Sequence, residues 1–237
     1  ERSGMAEPKM TEPKIYFVTG TDTDVGKTLI SVSLLSKAQS YGFSTAALKP
    51  VAAGSHLVNG DWVNEDVEAL SGQCSVPLTY DEINPITLRS PIAPHIAAKQ
   101  ENVDLSVASL VQRCKNVTDK HADFTIVEGA GGWLVPLNAN ETLADYVCEQ
   151  SYPVILVVGM RLGCLNHALL TVEAIEKNGL KLAGWIATQL DPDMPVADEN
   201  FETLKCRISA PCLGRVPFMH DITPLKAGEF LDINELV

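Results

Sequence analysis

The sequence has no pair of cysteines in C-x-x-C spacing, although it holds six cysteines at positions 74, 114, 148, 164, 206 and 212. That absence excludes a zinc ribbon or a redox dithiol, and the thiols read as small apolar residues of a reducing compartment. Apolar runs long enough to span a membrane, about 18 residues, are also missing. Positive charge is scarce: 18 Lys and Arg stand against 30 Asp and Glu, a formal net charge of −12. Nucleic acid and anionic membrane surfaces are therefore excluded as default partners, although a local basic pocket for phosphates is not. The five histidines (56, 95, 121, 167 and 220) lack metal-ligand spacing, and no G-x-S-x-G elbow presents a nucleophilic serine. The first residues carry no apolar core of a secretory signal, so a cytoplasmic location is expected. Glu1–Gly4 reads as an expression remnant before a start at Met5 or Met10, and the sequons at Asn116 and Asn140 as chance matches.

What is present is an ordinary globular composition, 46% hydrophobic and 20% charged over 237 residues. Short aliphatic runs alternate with longer amphipathic ones. Ile15–Val18, Ser44–Lys49, Phe124–Val127, Pro153–Val158 and Leu182–Ala187 read as strands, with Ile86–Leu88 a shorter candidate. Pro153–Val158 is almost wholly aliphatic, as a central strand buried on both faces would be. Helices are expected over Lys27–Tyr41, Glu65–Leu70, Leu105–Val117, Leu143–Gln150 and Asn166–Asn178. In the first, Ile30, Leu34 and Ala38 recur every fourth residue, and Gly42 can end it in left-handed backbone. Residues 50–64 read as loop, 72–94 as a proline-rich connection, and the tail after Pro217 as irregular. Strands alternating with helices of this length imply βαβ units and a parallel sheet.

The stretch Thr19-Gly20-Thr21-Asp22-Thr23-Asp24-Val25-Gly26-Lys27-Thr28 follows the first strand and opens the first helix. This is the setting of a phosphate-binding loop, or P-loop. Amides of the loop and first helical turn converge on one spot, and the helix dipole adds partial positive charge. Gly26 permits close backbone approach, Lys27 can reach terminal phosphates, and the Thr28 hydroxyl can ligate Mg²⁺. The general pattern would put glycine at the position of Thr21, whereas here it is Gly20. The expected architecture is a single-domain, doubly wound, mostly parallel α/β fold of the P-loop NTPase type over residues 15–237, behind an N-terminal tail of residues 1–14.

A P-loop needs acidic partners for magnesium, which takes few carboxylates and keeps waters. Glu128 ends an aliphatic strand and precedes Gly129-Ala130-Gly131-Gly132. Strand carboxyl ends face the ligand crevice in open α/β sheets. Asp66 opens the short helix after the second strand. Lys49 closes that strand, beside the P-loop strand, where a second lysine could stabilise a transferring phosphoryl group. Read alone, Asp66 is also at home as a solvated surface acid, and Lys49 as a solvated strand-end lysine.

Taken together, these segments resemble the dethiobiotin synthetase family. The likeness rests on Val18–Thr28, on Leu48-Lys49-Pro50-Val51-Ala52, on Val127–Trp133, on Pro153–Gly159 with Leu162–Ala168, and on Ala183-Gly184-Trp185, in the family's order. The displaced glycine is itself a family feature. The resemblance implies a homodimer that converts 7,8-diaminononanoate, CO2 and MgATP to dethiobiotin, ADP and phosphate. One amine captures CO2 as a carbamate, the carbamate attacks the γ-phosphate, and the second amine closes the ureido ring. It implies that Thr28, Asp66 and Glu128 hold Mg²⁺ and that Lys27 and Lys49 are catalytic. Asp24, Val25, Gly26, Gly129, Ala130 and Gly131 would line the nucleotide, with Thr188, Gln189, Pro217, Phe218 and Met219 toward the base. Thr23, Asp24, Lys49 and Ala53 would meet the diamine, and Asn166 would reach it from the partner subunit.

Three positions depart from the family pattern. Asp24 replaces a glutamate, Ala53 a serine that contacts substrate, and Thr188 an asparagine that reads adenine. The last implies a weaker preference for ATP over other nucleoside triphosphates. Two competing readings remain: another P-loop amide-forming synthetase of the cobyrinic acid amidase type, and a switch ATPase of the chromosome-partition type. The first needs a glutaminase domain, for which the chain is short. The second usually carries a lysine early in its P-loop, where Asp22 and Asp24 stand here.

Overall fold

The computed structural model describes residues 12–237; the expected tail lies mostly outside the described residues. Six strands form one sheet: β1 (Lys14–Gly20), β2 (Thr45–Leu48), β7 (Phe124–Glu128), β8 (Val154–Met160), β9 (Leu182–Gln189) and β10 (Cys212–Val216). Their order is β10-β9-β8-β1-β7-β2, with every neighbouring pair parallel. β8 is buried along its whole length, as its aliphatic run requires. Side chains alternate across the sheet. Val154, Leu156 and Val158 enter one core, and Ile155 and Val157 enter the other.

The face that takes Ile155 is covered by α1 (Lys27–Ser40), through Ile30, Leu34 and Leu35, and by α9 (Pro224–Gly228) with the C-terminal tail. The opposite face is covered by α5 (Val107–Thr118), α6 (Leu143–Gln150), α7 (Cys164–Lys177) and α8 (Ala197–Arg207). Covered faces on both sides are what a parallel sheet demands, so the doubly wound α/β expectation is met. Among the described residues no helix is long and apolar enough to cross a membrane.

The expected loop over residues 50–64 is instead structured. β3 (Val51–Ala53) pairs with β6 (Ile86–Leu88), and β4 (His56–Val58) pairs with β5 (Asp61–Val63) as a hairpin. The hairpin turn is Asn59-Gly60, both with positive φ, which is the backbone a two-residue hairpin turn needs. The connection over residues 72–94 holds the short α3 (Tyr80–Ile83), closed by a capping box between Thr79 and Glu82. Further elements absent from the sequence reading are α4 (Pro94–Glu101), α8, β10 and α9. α2 (Glu65–Ser71) is where it was expected.

Candidate active site

The site lies where the sheet's strands end at their carboxyl termini. β1 ends at Gly20, and the chain turns through residues 21–26 into α1. Asp24 and Gly26 take left-handed backbone, with φ of 57° and 93°. Gly26 is the N-cap of α1 and provides no side-chain cap, and no acidic residue sits in the first turn. The first-turn amides therefore keep their hydrogens free for an anion, and the helix dipole favours one. Val25 is fully buried beneath the loop. A methyl group on Gly20 would meet Val25 at 2.6 Å, so the glycine displaced by one position is what lets Val25 pack there.

Lys27 folds back over the loop and donates from Nζ to the Asp22 carbonyl at 3.2 Å. Across the cleft, Glu128 ends β7 with its side chain buried. Its Oε1 accepts from Thr28 Oγ1 at 2.7 Å and from Lys49 Nζ at 2.9 Å. Lys49 Nζ also lies 3.3 Å from Asp66 Oδ2 and donates to the Gly129 carbonyl at 3.2 Å. Asp66 is delivered by the first turn of α2, which Asn64 caps by accepting from the amides of Asp66 and Val67. Thr28, Lys49, Asp66 and Glu128 thus converge from four separate segments. Buried Asn84, which the sequence reading missed, donates to the Lys49 carbonyl at 2.7 Å and fixes the backbone from which Lys49 projects.

The two lysines differ electrostatically. Burial, and then the neighbouring Lys49 charge, push Lys27 below the ordinary lysine value, against a partial offset from Glu128, Asp66 and Asp24. Burial would likewise lower Lys49, but Glu128 and Asp66 outweigh it, and its pKa stands above the ordinary value. Lys49 is a locked cation, whereas Lys27 has no carboxylate in hydrogen-bond contact among the described residues.

These residues open on a cleft of about 880 Å³ that also takes in Thr23, Asp24, Ala53, Ala130 and Gly131. Gly132, Val135, Pro136 and the Pro91–Pro94 segment ahead of α4 complete its wall. Gly129 must be glycine because a Cβ there would sit 2.9 Å from the Phe17 ring. A second cleft of about 860 Å³, around Trp62, Tyr80 and Glu101, holds none of the expected site residues.

The geometry is that of a nucleotide site with a second lysine at its floor. The pattern of a family described as an AAA domain matches residues 14–226. The ATP-dependent dethiobiotin synthetase BioD of Cellvibrio japonicus is 52% identical over 224 residues, which span 94% of this chain and 98% of that protein. The chain belongs to the dethiobiotin synthetase family. The synthetase of the same name from Pseudomonas aeruginosa strain PAO1 is 50% identical over 93% of this chain and 97% of its own. That of Aromatoleum aromaticum is 48% identical over 94% and 98%. Among solved structures, a ParA family ATPase from Chlorobium tepidum superposes with a TM-score of 0.54 at 13% identity, covering 92% of this chain and 91% of that one. The MinC:MinD cell division complex of Aquifex aeolicus gives 0.52 at 13%, covering 91% and 86%. At that identity the likeness is one of P-loop fold alone, and it gives the partition-type reading no support beyond the fold.

Within the synthetase frame, several expected residues stand apart from the cleft of their own chain. Asn166 is exposed in the first turn of α7, and Leu162 in the loop before that helix is 93% exposed. Thr188 and Val216 are register partners on β9 and β10, so Gln189 and Pro217–Met219 follow side by side at one end of the sheet. Gln189 donates to the Asp191 carbonyl at 2.7 Å, and Phe218 and Met219 are partly exposed. Thr188 itself is buried, and its hydroxyl donates to the Val25 carbonyl. Arg161 and Asp22 form an ion pair between the β8–α7 loop and the P-loop, a contact across 139 residues that no local motif announces.

Proposed function

We propose that this chain is a dethiobiotin synthetase acting in the cytoplasm as a homodimer, with 7,8-diaminononanoate, CO2 and MgATP as substrates. The end-to-end identity of about half with named ATP-dependent synthetases carries this reading, and the placement of Lys49 opposite the P-loop supports it. One substrate amine takes up CO2 as a carbamate and releases a proton. The carbamate oxygen attacks the γ-phosphorus, and the bond to the ADP oxygen breaks. The second amine attacks the carbamoyl carbon, closes the five-membered urea, expels phosphate and gives up a proton of its own. Negative charge spreads over the transferring phosphoryl oxygens, and Lys27 and Lys49 stand where two ammonium groups stabilise it. No step needs an enzyme nucleophile.

Lys49 orients the carbamate and the γ-phosphate together. Thr23 and Asp24 provide polar contacts to the diamine from the loop, while Ala53 offers it only an apolar wall. Asn166, which does not line its own cleft, reaches the substrate in the partner's. Gly129, Ala130 and Gly131 lie along the nucleotide, and Gln189 with Pro217–Met219 forms the base end.

The residues fit Mg²⁺. Glu128 Oε2 is buried without a hydrogen-bond partner among the described residues, an acceptor left for a cation. Thr28, Asp66 and Glu128 would hold the ion, which supplies charge neutralisation at the phosphates. Among the described residues no cluster of three or more His, Cys, Asp or Glu forms a cage of its own; Mg²⁺ completes such a set with phosphate oxygens and water.

The test is phosphate release from ATP with and without diaminononanoate and bicarbonate. Release that requires both supports the synthetase; equal release without them points to a switch ATPase.

A further inference from the structure

Thr188 holds the apex of the P-loop from below. It ends the buried part of β9 and is 4% exposed. Its Oγ1 donates to the Val25 carbonyl at 2.6 Å, with the Val158 carbonyl a more distant second acceptor at 3.3 Å. Its methyl lies under Gly26: a Cβ on that glycine would be 3.5 Å from Thr188 Cγ2. Val25 is pinned from the side as well, since a Cβ on Gly159 would lie 2.7 Å from Val25 Cγ1. In a trans peptide the carbonyl and the following N–H point in opposite directions. Anchoring the Val25 carbonyl downward to Thr188 therefore turns the Gly26 N–H upward into the cleft. This is the peptide between Val25 and a glycine in left-handed backbone, where the chain is least constrained by its own preferences.

We propose that Thr188 is a positioning residue for the phosphate-binding loop, not a reader of the base. A threonine hydroxyl has one hydrogen, and here it goes to Val25. The proposal rests on the nucleotide-binding reading above and sharpens it: phosphate recognition depends on Thr188, and base recognition falls to the end of the sheet formed by Gln189 and Pro217–Met219.

The test uses equilibrium binding to the whole chain, with four probes: ATP, CTP, GTP and inorganic tripolyphosphate, which has no base. Thr188→Val keeps the shape and removes the hydroxyl, leaving the buried Val25 carbonyl without its partner. All four affinities should fall by the same factor, on the order of tenfold. Thr188→Ser keeps the hydroxyl and should stay within about twofold of wild type for every probe. Melting temperatures separate loop positioning from loss of fold. Should Thr188→Val unfold, wild-type-like binding by Thr188→Ser together with a uniform loss in Thr188→Cys, a weaker donor, still supports the proposal. A changed ATP:CTP:GTP ratio with unchanged tripolyphosphate binding would overturn it, as would equal losses in Thr188→Ser and Thr188→Val. None of these readouts needs the diamine. Failure of the ring-closing reaction with nucleotide binding intact would sink the proposed function and leave Thr188's role standing. A wild type that binds none of the four probes would sink both.

Discussion

Lys27 and Lys49 bring two ammonium groups to one cleft, but they are held in opposite ways. Lys49 is enclosed by Glu128 and Asp66, whereas Lys27 leans on a backbone carbonyl. Their replacement should therefore separate catalysis from stability. Either change to Met should lower kcat by about 10²–10³, the usual loss when one charge-stabilising group is removed. Lys49→Met leaves Glu128 buried without its cation and should cost about 3–5 kcal/mol. Lys27→Met removes a charge that burial disfavours and should leave the unfolding free energy unchanged or slightly raised. Turnover with saturating substrates, measured beside urea unfolding, checks both. A Lys49→Met protein as stable as wild type would mean that the carboxylates relax to water.

The thiols give a second residue-scale expectation. Burial raises Cys74 from the ordinary 9.0 to about 11 and Cys114 to about 12. A raised thiol pKa means that the folded state keeps a proton which the unfolded chain loses. Below the ordinary value the two states bind it equally, and the stability is fully present. Between pH 9.0 and about 12 it is progressively lost. Urea midpoints should fall from pH 8 to pH 10.5, and less steeply in a Cys74→Ala/Cys114→Ala protein. At pH 8 the exposed Cys206 should react with a thiol reagent ahead of the others, and Cys206→Ser should remove that fast phase. At this scale, Gly26, Lys27, Thr28 and Glu128 were legible in the sequence because one loop or one strand end carries each of them. Asn84, Arg161 and the Thr188–Val25 bond were not, because each acts across a gap in sequence that only the fold closes.

At the scale of elements, legibility followed burial. β8 and α1 announced themselves because long stretches of each face the core. α8 did not: of its residues only Leu204 is buried, so it shows no apolar stripe. In α4 only Ala97 and Ala98 are buried. β10 is a five-residue edge strand with Gly214 at its centre, and a glycine inside a short run reads as a breaker. The structure supplies the reason for that glycine. A Cβ on Gly214 would run into the Phe230 carbonyl, where the C-terminal tail bridges to the strand through Gly214 and Leu231. Gly214→Ala should push the tail off β10 and cost about 1–3 kcal/mol, the range for a methyl forced into a filled space. Because Pro217–Met219, the proposed base end of the site, leave the same strand, nucleotide affinity should weaken with it. Unchanged melting temperature and affinity would mean that the tail shifts without loss.

At the scale of the whole molecule, the position of Asn166 bears on whether each cleft is built from one chain or two. It is exposed at the start of α7 and does not line its own cleft. The loop before it carries Leu162 almost fully exposed, and Leu170 stands 57% exposed one helical turn further on. Two large apolar side chains flanking a polar one, on the outer side of α7 and in the loop before it, suit a surface that another copy covers. If that copy's Asn166 completes the site, each cleft draws on two chains. Asn166→Ala and Lys27→Ala proteins should then each be weak alone, for different reasons. Mixed and allowed to exchange subunits, they form heterodimers in which one cleft has lost both groups and the other has kept both. Random exchange gives half of the dimers this mixed form, and one of its two clefts is intact. About a quarter of wild-type turnover per site should therefore return, a statistical ceiling that follows from the twofold symmetry of such a dimer. Exchange itself can be followed with a mass tag on one variant. Verified exchange without recovered turnover would place Asn166 and Lys27 in the same chain's site, and the cleft would then have to close by moving α7 rather than by pairing.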